Sequence, residues 1–411
     1  MHFVTDVDPI ALTTFVRSQP FAHYMKTSFW AGYKITSEND QVSYVGVMDN
    51  DELVGTAVIL KKKLWYISKP YWYIPTGMCI DYDNRELLDF FVTSLIEYAN
   101  RMDVSFIRID PDIQRCHRDI MGNKLDDGFS NEWLTEYLIT SGFKHKGYGY
   151  AYNGSWLNRY TLMIDLNREM DTIIKGFNKS KQNVLKRQPS MGVSTRAGTV
   201  DDLKYFVEFE WELTKTQGFK PHKVEFFEQL ENKLKDLLCL YVTEVDMVIN
   251  IKNLTEEINS NKYRKDPEAL QTKQNELVHA QQLQTKYGNK VVIAVGMFLR
   301  FGNKSWDLYT YNRKDFNNYK ATDNLHAYVI ADMKQNGVLL YDMVGFSGVT
   351  DKTDPYYGLY DYKRSFGSDF YENIGEFDYV IDDKQYQRFL NILYQTKRFR
   401  RKIFSIRYKK R

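Results

Sequence analysis

Residues 243–289 read TEVDMVINIKNLTEEINSNKYRKDPEALQTKQNELVHAQQLQTKYGN, and they differ in kind from the sequence on either side. Residues 238–243 before them and 291–299 after them are short apolar runs of strand length. Between these runs Met247, Ile251, Leu254 and Ile258 recur at alternating steps of four and three, which is one apolar stripe on a helix. The break Tyr263-Arg264-Lys265-Asp266-Pro267 follows, with Pro267 placed to open a second helix. Leu270, Leu277, Ala280 and Leu283 then mark a second thin stripe among Gln, Lys and Glu. Two stripes joined by a short turn predict an antiparallel helical hairpin. Set between two strands, it predicts an arm that projects from a globular body and is dispensable to its cores.

Working outward from the arm, the two halves of the chain show one order of elements. In the first half, residues 43–48 and 53–61 flank Asp49-Asn50-Asp51, a strong hairpin signal. Residues 72–80 are extended and apolar, 86–101 have helical periodicity, and 104–109 return as a strand ending at Asp110-Pro111. In the second half, residues 291–299 and 306–311 flank Phe301-Gly302-Asn303-Lys304, again a hairpin. A helix over 324–335, closed by Gly337, leads to a strand over 338–344 that runs into Gly345-Phe346-Ser347-Gly348. Hairpin, helix, strand occurs twice, which predicts two α+β domains of one type.

The 411 residues are 43% hydrophobic and 15% aromatic, enough for two sizeable cores. No run of eighteen apolar residues predicts a membrane span, and the first residues lack the pattern of a signal peptide. Cys79, Cys116 and Cys239 are far apart and odd in number. Reduced thiols in a cytoplasmic protein fit them better than a disulfide framework. No cysteine pair has metal-ligand spacing, so neither a metal nor a cofactor is expected. The net charge of +3 hides an asymmetry, because residues 397–411 hold nine Lys or Arg and no acid. Basic and apolar side chains alternate there, as suits an anionic membrane surface or an RNA backbone, or an ordinary solvated helix end.

Five stretches in order, with the arm and the basic tail, resemble the Fem family of peptidyltransferases over nearly the whole chain. The first is Met25-Lys26-Thr27-Ser28-Phe29-Trp30-Ala31-Gly32-Tyr33-Lys34, similar to the family's Q-S-x-x-W-x-x-x-K. The second is Tyr73-Ile74-Pro75-Thr76-Gly77-Met78-Cys79-Ile80-Asp81-Tyr82, where the family usually has Y-x-x-R-G-P-x-x-D-Y. Phe106-Ile107-Arg108-Ile109-Asp110-Pro111 and the basic helix opened by Asn178-Lys179-Ser180-Lys181-Gln182-Asn183 follow. The last is Gly345 to Gly348 with Tyr357-Gly358-Leu359-Tyr360-Asp361-Tyr362-Lys363-Arg364-Ser365-Phe366. The resemblance implies two tandem GNAT-like domains, the first over 1–160 and the second over 161–411, interrupted by the arm. It implies transfer of an alanyl, seryl or glycyl group from aminoacyl-tRNA to an amino group of a lipid-linked peptidoglycan precursor. It also implies a cytoplasmic protein working at the inner face of the membrane.

By the same resemblance Lys363 stabilises charge at the reacting end, Lys34 holds precursor phosphate or headgroup, and Asp110 lies near the acceptor amine. Each has a plainer reading: a surface lysine at a helix start, a lysine snorkelling past Trp30, and a turn aspartate before proline. Trp30, Tyr73, Thr76, Gly77, Tyr362, Gly345 and Gly348 are implied to line the substrate sites. Thr76 and Met78 depart from the usual Arg and Pro, and Thr76 lacks the bidentate fork of Arg. Thr216 stands where some members place a phosphate-binding Arg, leaving Lys215 and Lys220 as the available cations. Two other classes compete. An acyl-CoA N-acyltransferase would show a Gly-rich pyrophosphate loop, and none is found. A coiled-coil adaptor would need longer stripes than the arm has.

Overall fold

The computed structural model describes residues 1–35, 40–149, 157–217, 220–234 and 237–408, and side chains at 216, 217, 261 and 396–408 also lie outside the description. Two compact units emerge. The first is built on β1 (His2–Val4), β2 (Asp40–Asp49), β3 (Glu52–Lys62), β4 (Tyr71–Ile74), β5 (Phe106–Ile109) and β6 (Phe143–His145). The β2–β3 hairpin turns on Asn50 and Asp51, both at positive φ (47° and 65°). That is the type I′ geometry whose twist matches the strands, and Asn and Asp tolerate it best after glycine. The helix Arg85–Arg101 is capped by Asn84, whose side chain accepts from Leu87 N, and it buries Leu87, Leu88, Phe91, Leu95 and Ala99. These share one stripe, and they form the first core with Val45, Ile59, Trp72 and Ile107 from the sheet.

The second sheet holds β7 (Tyr160–Asp165), β8 (Val193–Ala197), β9 (Leu238–Asp246), β10 (Lys290–Phe301), β11 (Lys304–Asn312), β12 (Leu340–Phe346) and β13 (Asp369–Glu372). One further strand, β14 (Phe377–Val380), closes the set. The first sheet runs β1-β2-β3-β4-β5-β14-β6, and the second, read from its far edge, runs β8-β9-β10-β11-β12-β7-β13. Position for position, β8 to β13 repeat β1 to β6. Only β7 and β14 have exchanged sheets. This is the α+β plan of two tandem GNAT-like domains with an inserted helical hairpin.

The exchange corrects one boundary. The sequence reading assigns residues 161–411 to the second domain, yet Tyr371–Arg411 groups with the first unit. The reason is β14, which pairs antiparallel with both β5 and β6. Its register is held by the buried pair Arg108–Asp378, in which Arg108 Nε and Nη2 donate to the two carboxylate oxygens at 2.7 and 2.8 Å.

The arm is present, as the helices Met247–Asn259 and Pro267–Tyr287 between the paired strands β9 and β10. Asp246 caps the first helix and Asp266 the second, with Pro267 at its first position. The arm does not stand clear of the body, however. Met247, Ala280 and Leu283 are buried in the second core, and Ile251 and Leu254 pack against it. Among the described residues, no helix is long and apolar enough to cross a membrane.

Candidate active site

Each sheet contains one parallel pair, β4 with β5 and β11 with β12, in the pairings described. In open α/β sheets, ligands bind outside the carboxyl ends of parallel strands. Both clusters of sequence-predicted residues lie at such ends.

In the first unit, β4 stops at Ile74 because Thr76 and Gly77 both adopt positive φ, 59° and 72°. The extended run expected to 80 is therefore broken by a turn, closed by Gly77 N–H donating to Ile74 O at 3.2 Å. A Cβ on Gly77 would lie 2.5 Å from Tyr82 Oη and 3.1 Å from Pro111 Cα, so only glycine fits. The turn aims the Thr76 N–H at Asp110 Oδ1, 2.7 Å away. Tyr73 Oη donates to Asp110 Oδ2 at 2.7 Å, and Leu157 N–H reaches the same oxygen at 3.2 Å. The Thr76 side chain is fully buried and spends its hydroxyl on Pro75 O. Burial pushes the Asp110 carboxyl up to about 7 against the pull of these hydrogen bonds. Tyr73 is driven well above the usual phenol range, first by burial and then by Asp110, and it stays a donor. Asp110 is thus a buried carboxyl poised near neutrality, suited to taking up a proton.

Trp30 and Lys34 sit four apart on the helix Ser28–Lys34. Trp30 is buried, edge-on to Tyr24 at 5.0 Å. The Lys34 ammonium lies 4.4 Å from the Trp30 ring centroid and 5.2 Å from that of Tyr33. Burial, and then the charge of Lys62, lower its pKa.

In the second unit, Lys363 is 7% exposed, in the last turn of the helix Tyr357–Arg364. It is therefore neither on the surface nor at a helix start. Its Nζ donates to Met343 O, Val344 O and Gly345 O, so all three protons are spent on β12. The strand bends sharply there, because Val344 has φ +62°. Such a conformation is rare for a β-branched residue and costs on the order of 1–3 kcal/mol. The lysine and Asp342, whose Oδ1 accepts from Val344 N at 2.7 Å, hold it in place. Burial lowers the Lys363 ammonium to about 8, while Asp307 and Asp342 oppose the shift. Asp307 itself is raised to about 6 by burial, with Lys363 pulling it back. His326, hydrogen-bonded to Tyr341 Oη at 2.7 Å, is depressed to about 3 by burial and stays neutral.

The other expected residues separate. Gly345 joins the Lys363 cluster through its carbonyl. Gly348 is a packing glycine at φ +80°, where a Cβ would meet the Tyr160 ring at 2.3 Å. Tyr362 stacks instead against Lys181, 4.2 Å away, which is ion-paired to Asp323 at 2.6 Å. Lys215 and Lys220 are exposed, and Lys215 lies 5.9 Å from the Trp211 ring centroid. Gly218 and Phe219 fall outside the described residues, as does the Thr216 side chain. So do the side chains of the basic tail, whose backbone is helical as far as Tyr408. Sequence reasoning missed Asp307, Asp342 and His326. Asp342 had left a signal, as the lone acid inside the apolar run of 338–344.

The model of the FemAB family matches residues 11–395. "Lipid II:glycine glycyltransferase" of Staphylococcus aureus strain MRSA252 is 24% identical over 399 residues, covering 91% of this chain and 91% of the relative. The protein of the same description from strain MSSA476 matches to the same extent, 24% over 399 residues and 91% of each chain. The crystal structure of FemX superimposes with a TM-score of 0.77 at 22% identity, covering 94% of this chain and 99% of that one.

Proposed function

The chain belongs to the FemAB family, and from that premise we propose that it transfers an aminoacyl group from aminoacyl-tRNA to an amino group on the stem peptide, or growing bridge, of a lipid-linked peptidoglycan precursor. The donor is glycyl-, alanyl- or seryl-tRNA, and the staphylococcal relatives, described as glycyltransferases acting on lipid II, favour the first.

The chemistry is ester-to-amide exchange. The acceptor nitrogen forms a bond to the aminoacyl carbonyl carbon, the carbon–oxygen bond to the ribose breaks, and the proton shed by the amine ends on the released ribose hydroxyl. An aminoacyl ester is already activated, so orientation supplies much of the rate, roughly 7–11 kcal/mol for well-aligned groups. No enzyme nucleophile is needed. The observation that carries the reading is the buried, near-neutral Asp110 carboxyl, fixed by Tyr73 Oη and Thr76 N–H at the end of a parallel strand pair. We assign it the acceptor amine, as the base that takes its proton. Lys363, in the second unit, is a separate candidate, a buried cation suited to steadying negative charge on the aminoacyl donor. While its three bonds to β12 stand, it offers that charge a field rather than a free N–H.

The test is a transfer assay with each radiolabelled aminoacyl-tRNA in turn against a lipid-linked precursor. Label should pass from one of the three to the precursor. Transfer from none of them, or acyl transfer from acetyl-CoA instead, would sink the proposal.

A further inference from the structure

Strand β3 ends at Lys61-Lys62, and the link to β4 begins Lys63-Leu64-Trp65-Tyr66. Trp65 is 91% exposed, more than any other large apolar side chain described. An indole that usually buries about 150–250 Å² is here presented to solvent. The segment carrying it is well anchored. Ile67 is buried, with its N–H bonded to Leu64 O at 3.1 Å. Ser68 N–H donates to Gln385 Oε1 at 2.9 Å, and Lys69 bridges Asp103 and Asp382 at 2.8 and 2.9 Å. Tyr66 backs the indole edge-on at 5.4 Å. The backbone next to the ring is thus held in place before the ring is covered.

Its surroundings are cationic. Lys61 and Lys63 make no ion pair among the described residues. Lys62 is paired with Asp40 at 3.0 Å and also donates to Lys34 O at 3.3 Å. The next residue along, Ile35, is 42% exposed. The contacts of Ser68 and Lys69 reach the root of the helix Asp383–Tyr408, whose chain continues into the nine basic residues of 397–411. An exposed indole and isoleucine flanked by lysines, of which Lys61 and Lys63 make no ion pair among the described residues, match the interfacial zone of an anionic bilayer, where Trp sits at headgroup level.

We propose that this edge of the first unit, Trp65 and Ile35 with Lys34, Lys61 and Lys63, seats the protein on an anionic lipid surface. Each lysine adds about a fivefold preference for the charged leaflet, the ratio equivalent to about 1 kcal/mol, and salt weakens it. The seat brings Lys34 to headgroup level, where a lipid-linked acceptor presents its phosphate. That last step rests on the proposed function, while the seat itself does not.

Vesicle flotation without tRNA or precursor tests it. Wild type, Trp65→Ser with Lys63→Glu, and both of these truncated after Thr396 would be mixed with vesicles of phosphatidylcholine, with or without phosphatidylglycerol. The double substitution should lower partitioning onto the anionic vesicles by at least about tenfold in both backgrounds, with circular dichroism unchanged. Brominated lipid should quench wild type more than Trp65→Phe. Unchanged partitioning in both backgrounds overturns the proposal. So does equal binding to neutral vesicles, or a Trp65-dependent self-association that leaves vesicle binding intact. Because no substrate is present, failure here leaves the transfer reaction standing. Failed transfer with vesicle binding intact removes only that reaction.

Discussion

Burial acts in opposite directions on Asp110 and Lys363. It raises the carboxyl to about 7 and lowers the ammonium to about 8, each toward its neutral form. If the reaction needs an ionised Asp110 and a charged Lys363, kcat/KM should rise through about 7 and fall above about 8. Asp110→Asn keeps the shape and should abolish the rising limb; a limb that survives would remove the carboxyl from the proton path. Lys363→Met should lower kcat/KM by roughly a hundredfold or more with folding intact. Near-normal turnover would mean that the lysine only braces the Val344 bend. The shift at Asp110 also bears on stability. A carboxyl whose folded pKa is raised favours the folded state in acid, and that contribution is lost as pH rises from about 4 through about 7. The Tm of wild type relative to Asp110→Asn should therefore fall across that window.

Among the elements, the arm shows how a pattern can be read correctly and its packing misjudged. Its two stripes form the helices expected, but the stripe residues nearest the strands belong to the second core. Asn250, also buried, accepts from Tyr319 Oη at 2.9 Å and ties the root further to the body. Replacing 255–276 by a short Gly-Ser linker should thus leave a folded protein with weakened use of tRNA. Replacing 247–287 removes Met247, Ala280 and Leu283 together. At about 2–5 kcal/mol for truncating one large buried side chain, it should cost more than about 4 kcal/mol. Equal denaturation midpoints for the two deletions would show that the root contributes nothing.

At the scale of the molecule, the exchange of β7 and β14 makes each sheet depend on distant sequence. Residues 1–158 alone would leave β5 and β6 without the strand between them, and Arg108 buried without Asp378. Breaking a buried ion pair costs about 3–5 kcal/mol. That fragment should show no cooperative unfolding, and co-expression with 159–411 should restore it; a stably folded fragment would make β14 an accessory. The basic tail is a second large-scale feature. Truncation before Lys397 should lower activity on membrane-presented precursor far more than on a soluble, lipid-free acceptor. An equal loss on both, with a raised KM for aminoacyl-tRNA, would assign the tail to RNA instead.

The arm, the Asn50-Asp51 hairpin, the helix Arg85–Arg101 and the repeated order of elements were all determined by the sequence itself. Each is stabilised by caps, turns and stripes whose partners lie within a few residues, so local pattern is enough. Motif resemblance likewise pointed to Asp110 and Lys363 as residues of interest. What they touch was decided only by the tertiary structure. The reach of Lys363 to three carbonyls of β12, the conversion of Thr76 from an expected ligand contact into a buried turn residue, and the Asp307–Asp342–His326 surround depend on strands brought together across the chain. The placement of β14 depends most on distance, since Arg108 and Asp378 are 270 residues apart. Burial, which sets the charges at both clusters, is a property of the assembled core and has no local signature.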